Sequence, residues 1–339
     1  MERRDGQGGD RAVIRVAVVG TGGWGRQHAR VFAAHPGVEF CAVAGRSAER
    51  AQRRADEFGV RGYTDIDEML ELEKPDLVSL CLPNQGHFEP TMRVIEAGLP
   101  LIVEKPLVFE LEEAERLLEA AGDRFFALCF NHRYAKPVRL AKEAIDGGRL
   151  GDPVFATWRF GGEGSSDHPY ANLIETQCHG FDMLEHLCGP ISAISGEFTD
   201  SRMTMALSLR FASGAVGSLV GSYDTSYAYP DTQRIEISGT KGRVVIDDTV
   251  RRYRFNAAGN ELGETWEAGY FNDLDREFHR TFDFYMDATL NAFANGDAPP
   301  VHARAGLRAL QLAHAAIRSV ETGSRIDTPL SPPGERGQG

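Results

Sequence analysis

Long apolar runs are missing from this chain. No stretch approaches the roughly 18–20 residues that a membrane helix needs, and the opening segment MERRDGQGGDR lacks the apolar centre of a secretory signal. The sequence therefore predicts a cytoplasmic protein with no membrane partner. Cysteine is scarce: Cys41, Cys81, Cys129, Cys178 and Cys188 are widely spaced, odd in number and form no CxxC pair. Reduced thiols fit that pattern better than a disulfide framework. Excess positive charge is missing as well. With 37 Lys and Arg against 49 Asp and Glu, the formal net charge is −12, which argues against a nucleic-acid partner, since such proteins present a basic face.

What is present is a long alternation of strands and helices. At 339 residues the chain exceeds one ordinary core, so two domains are expected. VIRVAVV (13–19) is a β-branched run of the kind found in a buried parallel strand, and GTGGWG follows at once. FCAVAGR is a second strand. The next helix has Ser47 as N-cap and Gly59 as C-cap, and Thr64 is placed as the cap of a short helix, DIDEMLELEK. DLVSLCLP, LIVEKP and FFALCFN continue the strands, with helices between them. The fold class that results is α/β: residues 12–131 form an N-terminal Rossmann domain with a doubly wound parallel sheet. From 132 to 325 the pattern changes to short strands with turn signals at 213–214 and 239–242, and two closing helices near 273–295 and 303–321. This is a C-terminal α+β domain on a large, mainly antiparallel open sheet. Residues 1–11 and 326–339 are expected to be disordered tails.

Gly20, Gly22 and Gly25 make GxGxxG directly between a strand and a helix. In that context the glycines allow a tight turn, close approach of a pyrophosphate and helix–strand packing, and the helix N-terminus offers free N–H groups to phosphate. Gly23 and Trp24 complete the loop. Where an NAD-preferring fold carries an acidic residue at the end of the second strand, this chain reads Ala44-Gly45-Arg46-Ser47, with Arg50 one turn on. An arginine fork suits a 2′-phosphate, so NADP(H) is favoured over NAD(H).

Two further elements carry chemistry. Glu104-Lys105-Pro106 ends a strand, at the edge where open α/β sheets bind ligands, and a lysine there can hydrogen-bond a substrate oxygen or move a proton. In LIETQCHGFDMLEHLCG, Glu175, His179, Asp182 and His186 are spaced by four, three and four, one stripe of a helix. That stripe reads as a histidine base oriented by a carboxylate, as a surface helix with an i,i+4 pair, or as a metal site, in that order; without HExxH or CxxC no metal is assigned.

GTGGWG, VSLCLPNQGHFEP (78–90), VEKP (103–106), FNHRY (130–134) and IETQCHGFD (174–182) occur in the order seen in the glucose–fructose oxidoreductase / inositol dehydrogenase / rhizopine-catabolism (Gfo/Idh/MocA) family, which this chain resembles over nearly its whole length. The resemblance implies hydride transfer between a nicotinamide cofactor and a sugar, cyclitol or related hydroxyl or ketone carbon, in a homodimer or homotetramer. It implies that Lys105 and His179 are catalytic, with Asp182 the acid that follows and Glu175 standing where many members have Asp. It places Pro83, Asn84 and His87 beside the nicotinamide, with Glu104, Lys105, Asn131 and Arg133 also on the cofactor. Tyr134, Trp158 and Arg159 are assigned to substrate, and His168 and Tyr170, with Tyr223 and Tyr270, are further polar and aromatic groups able to shape its pocket. Two alternatives stay open, an NAD-dependent glycosidase and a non-catalytic dinucleotide sensor. The apolar alternation of TMALSLRFA and AVGSLV is expected to leave an exposed sheet face for self-association.

Overall fold

A computed structural model describes residues 13–269 and 277–330. Tyr270 and the tail 1–11 lie outside the described residues. The chain divides into two compact units. Unit 1 takes residues up to 104, 116–129 and 286–303; unit 2 takes 105–115, 130–285 and the residues from 304 on.

In unit 1 the strands are β1 (Ile14–Val19), β2 (Val38–Ala44), β3 (Arg61–Tyr63), β4 (Leu77–Leu80), β5 (Leu101–Val103) and β6 (Phe126–Leu128). The helices that alternate with them are α1 (Gly23–Ala34), α2 (Ala48–Phe58), α3 (Ile66–Glu73), α4 (Phe88–Glu96) and α5 (Leu111–Ala121). The strands form one sheet in the order β3-β2-β1-β4-β5-β6, all pairs parallel. Val16 to Val19, Leu77 to Leu80 and Leu101 to Val103 are all buried, as a sheet covered on both faces requires. Ser47 does cap α2, its Oγ accepting from Arg50 N at 3.3 Å, and Gly59 closes the helix in the left-handed region at φ 68°. The cap of α3 is Asp65 rather than Thr64. Its carboxylate accepts from Glu68 N at 3.0 Å, the N3 reach available only to the residue directly before the helix.

Residues 286–303, read from sequence as part of the second domain, are counted with unit 1. There Leu128 N donates to Val301 O (2.9 Å) and Ala303 N donates to Phe126 O (2.9 Å), so the returning chain satisfies the free edge of β6.

Unit 2 opens on α6 (Lys136–Asp146), followed by β7 (Pro153–Gly161), α7 (Cys178–Cys188), β8 (Ile191–Phe198), β9 (Thr204–Phe211), β10 (Val216–Ser222), β11 (Gln233–Gly239), β12 (Gly242–Asp247), β13 (Arg252–Ala257) and β14 (Gly263–Glu267). Helices α8 (Arg280–Asn295) and α9 (Arg304–Thr322) and the short strand β15 (Ile326–Asp327) close the chain. The nine strands are ordered β14-β13-β12-β11-β7-β10-β9-β8-β15. Only β7 and β10 pair in parallel. Ile326 and Asp327, expected to open a disordered tail, pair with Ile194 and Ala193 of β8, and residues 331–339 lie outside the described residues.

The alternation of β9 points Met205, Leu207, Leu209 and Phe211 inward, where they are buried, and Ala206, Ser208 and Arg210 outward. The apolar face read from that strand is thus core. Exposed apolar side chains on this sheet include Phe155, Val216 and Val220, with Val216 opposite Phe155 and Val220 opposite Ala206. Among the described residues no helix is long and apolar enough to cross a membrane.

Candidate active site

The glycine loop of unit 1 is shaped as a cradle. A side chain at Gly20 would meet the Cys81 carbonyl at 2.1 Å, and one at Gly25 would meet the Gly20 carbonyl at 2.1 Å, so both positions exclude a Cβ. Gly22 and Gly23 face open space, with nothing within 4 Å. Gly22 is the N-cap of α1 and offers no side chain to its first N–H groups, which leaves them available to an anion. A cavity of about 410 Å³ opens here, lined by the whole loop from Gly20 to Trp24 and by Arg46, Ser47, Arg50 and Pro83. A second cavity, of about 370 Å³, shares Gly45, Arg46, Leu82 and Pro83 and adds the apolar side chains of Ile66 and Pro90. A pyrophosphate at bare helix N–H groups, next to an apolar slot, is the arrangement a dinucleotide needs. The residues present fit one.

The other residues of unit 1 expected at the cofactor have these local contacts. His87 is buried, its Nε2 bound to the carbonyl of Leu82 at 3.0 Å, so its ring braces the loop from inside. Asn84 opens the short 3-10 turn Asn84–Gly86. The Glu104 carboxylate is turned into the core: Oε1 lies 2.9 Å from His28 Nε2, and His28 Nδ1 lies 2.7 Å from Ser79 Oγ.

In unit 2 a second group of predicted residues is gathered. Lys105 and His179 belong to this one unit, not to two as the strand-end and helix positions had implied. Lys105 Nζ donates to the main-chain carbonyl of Glu175 at 3.1 Å, and the Cys178 thiol reaches the same carbonyl at 3.3 Å. Glu175 is not on the helix of His179. It sits on a π-helical turn, Asn172–Thr176, that precedes α7, so the expected four-residue stripe is broken at Gln177. His179, Asp182 and His186 do share α7.

His179 is buried, and its Nδ1 has no hydrogen-bond partner among the described residues. Its ring lies flat on that of His132, with centroids 3.7 Å apart and planes 3° apart, and Phe130 meets it edge-on at 5.7 Å. Burial, reinforced by His132 and Lys105, holds its imidazole well below the ordinary histidine range, so it is neutral at pH 7. Asp182 is buried and accepts from Arg133 through both oxygens, at 2.9 Å from Nε and 2.5 Å from Nη2. Burial pushes the Asp182 carboxyl up while Arg133 pulls it down. Arg133 and Asn131, expected from sequence at the cofactor, both have partners within unit 2: Asn131 Nδ2 donates to Thr281 Oγ1 at 2.7 Å.

Of the residues assigned to substrate, Trp158 is 1 % exposed, its indole N–H is donated to Gln177 Oε1 at 2.8 Å, and its ring abuts Gly180 of α7, where a Cβ would meet it at 2.6 Å. Its one polar group is engaged by Gln177. Arg159, the next residue of β7, points to the opposite sheet face and donates to Asp231 O at 2.6 Å. His168 stacks edge-on against Phe109 at 4.8 Å and accepts from Tyr170 N at 3.2 Å, holding its own loop. Tyr134 meets Tyr285 edge-on at 5.5 Å, and Tyr170 meets Phe198 at 5.5 Å. Tyr223 is closer to the centre of the group, its hydroxyl 2.5 Å from Thr176 Oγ1, beside Glu175. His132 and Gln177 were not singled out from sequence, although both lie inside the quoted FNHRY and IETQCHGFD runs.

A doubly wound sheet with an open glycine cradle, followed by a unit that concentrates a lysine and a neutral buried histidine, defines a nicotinamide-dinucleotide-binding oxidoreductase. Residues 14–129 match the model of an oxidoreductase family with an NAD-binding Rossmann fold, and residues 138–245 match the GFO/IDH/MocA C-terminal domain. The chain belongs to the GFO/IDH/MocA family. It is 26 % identical over 327 residues to the myo-inositol 2-dehydrogenase of Thermotoga maritima, covering 91 % of this chain and 96 % of its relative. It is 25 % identical over 335 residues to the scyllo-inositol 2-dehydrogenase (NAD(+)) of Bacillus subtilis, covering 92 % and 96 %. Among solved structures, levoglucosan dehydrogenase in complex with NADH and L-sorbose superposes with a TM-score of 0.83 at 22 % identity, covering 94 % of this chain and 99 % of that one.

Proposed function

We propose that this oxidoreductase interconverts a secondary hydroxyl and a ketone on a sugar, cyclitol or related polyol, using NADP(H) in preference to NAD(H). The observation that carries the reading is the Lys105–Glu175–His179 group: an ammonium anchored by main chain, and a buried imidazole that is neutral at pH 7. In oxidation, His179 accepts the proton of the reacting hydroxyl while Lys105 donates a hydrogen bond to its oxygen, which becomes the carbonyl. When bound, the nicotinamide supplies the acceptor for the hydride that leaves the same carbon. Reduction uses the same groups in the opposite sense. Asp182 and Arg133 hold α7 and the turn Asn131–Tyr134 together, so Asp182 acts by position. The inositol dehydrogenases among the relatives support a polyol substrate.

The cofactor preference rests on the lining of the glycine-loop cavity, where Arg46, Ser47 and Arg50 stand and no carboxylate does. A homodimer or homotetramer is supported by the exposed apolar patch of Phe155, Val216 and Val220 on the open sheet. A cytoplasmic location is supported by five buried cysteines that form no disulfide among the described residues.

The test is reduction of NADP⁺ and NAD⁺ by a panel of inositols, hexoses, aminosugars and sugar phosphates. With the best substrate, Lys105→Ala and His179→Ala should each lower kcat by roughly 10²–10⁴-fold with cofactor affinity nearly intact. The double variant should lose far less than the product of the two losses. Turnover that survives both substitutions removes the proposed roles; absence of turnover across the panel removes the substrate class.

A further inference from the structure

The four-residue turn Asn131–Tyr134 is fastened on several sides. Asn131 is bound to Thr281, and Arg133 forms its two-pronged pair with Asp182. Between them, His132 lies against His179, three residues before Asp182 on α7. Two successive residues of the turn thus meet two successive rungs of the helix. Aromatic rings usually meet edge-on or offset, whereas these imidazoles are parallel within 3° at 3.7 Å, and both are buried. Phe278 closes the far side of His132 edge-on at 5.3 Å, with His279 beside it, and Phe130 closes an edge of His179. Among the described residues, the charged and titratable groups around the pair include Lys105, Cys178, His279 and the Arg133–Asp182 ion pair. Two imidazolium rings this close, with an ammonium nearby and little water, repel each other strongly.

We propose that His132 is a positioning residue for His179: its stacked ring fixes the plane of the His179 imidazole, keeps water from that face and excludes a second proton from the pair, so that His179 meets the substrate hydroxyl as an acceptor. The proposal rests on the reading of His179 as the proton acceptor. Its physical content is independent of turnover, because the protonation of His179 can be followed directly.

The experiment is a pH titration of ¹⁵N-histidine-labelled protein by NMR, with His179 assigned from the His179→Gln variant. In the wild type the His179 ring stays neutral well below the ordinary histidine range. His132→Ala removes the ring and admits water, and moves the His179 midpoint up by about one unit or more. His132→Phe keeps a flat apolar cover and loses only the ionisable neighbour, so its midpoint lies between the two. His132→Asn serves if the alanine variant does not fold, and is expected to follow alanine. The low-pH limb of kcat for oxidation should move in the same order. A His179 midpoint that is the same in the wild type and all His132 variants overturns the proposal, as does a wild-type His179 that titrates in the ordinary range. The expected order of midpoints in a protein that turns over no polyol would support the stack and sink the function it was proposed to serve.

Discussion

Replacing Asp182 by Asn keeps the shape of the side chain and removes the charge that Arg133 was folded against. The Asp182 side chain is 2 % exposed and that of Arg133 21 %, so the guanidinium left behind is mostly shut away from water. Breaking a buried ion pair by removing one partner typically costs about 3–5 kcal/mol. Because one fifth of Arg133 reaches solvent and can be partly hydrated, about 2–4 kcal/mol is the working figure here. At about 2–4 °C per kcal/mol for a body of 150–250 residues, the unfolding midpoint of unit 2 should fall by roughly 4–16 °C. Thermal melts followed by circular dichroism, with a urea series to check the slope, measure this. The double variant Arg133→Met with Asp182→Leu should melt above Asp182→Asn alone, since apolar groups of similar volume tolerate a site that a lone charge does not. A melt of Asp182→Asn within about 2 °C of the wild type, or a double variant that loses the sum of both single losses, would refute the role given to this pair.

Arg46→Ala should weaken NADP(H) binding by about 1–3 kcal/mol and NAD(H) binding by much less; titration of both cofactors checks this, and equal losses or a wild type that prefers NAD(H) would end the assignment. His186 is held down to about 3, by burial first and then by Arg133 and Lys142, against an ordinary value of 6.5. Its folded-state pKa is depressed, so the unfolded chain takes up a proton that the folded one refuses, and stability present above pH 6.5 declines as the pH falls from there toward 3. His186→Gln should flatten that decline in urea titrations at a series of pH values, and an unchanged slope would contradict it. Val216→Asp, on the exposed patch, should convert an oligomer to monomer in light scattering, and a wild type that is monomeric at micromolar concentration would remove the basis for the prediction.

The parts of the fold that follow from local pattern were readable from the residues. Val16 to Val19 and Leu77 to Leu80 lie in a sheet covered on both faces, and uninterrupted β-branched and apolar runs leave few other arrangements. The glycine loop was legible because its spacing falls between a strand and a helix. What pattern could not show was direction and distance. Trp158 and Arg159 are neighbours in sequence, yet a strand sends them to opposite faces, one beneath α7 and one toward Asp231. The burial of the β9 alternation depended on which face the helices cover. The pairing of 301–303 with β6 joins segments more than 170 residues apart and leaves no periodic trace. Thr64 and Asp65 are both good caps, and only the start of α3 at Ile66 decides between them.

The π-helical turn at Asn172–Thr176 shows why one departure in the sequence matters less than it first suggests. Glu175 in place of Asp lengthens a carboxylate and would disturb any contact tuned to its reach. Lys105, however, is held by the Glu175 main-chain carbonyl, which is the same for Glu and Asp. That carbonyl, on the π turn, takes both the Lys105 ammonium and the Cys178 thiol. The next helix then begins at Cys178 and carries His179 in its first turn. One irregular turn therefore supplies the anchor of the lysine and the starting phase of the helix that bears the histidine. Their relation is set by backbone, through a contact that a Glu or an Asp at 175 supplies equally.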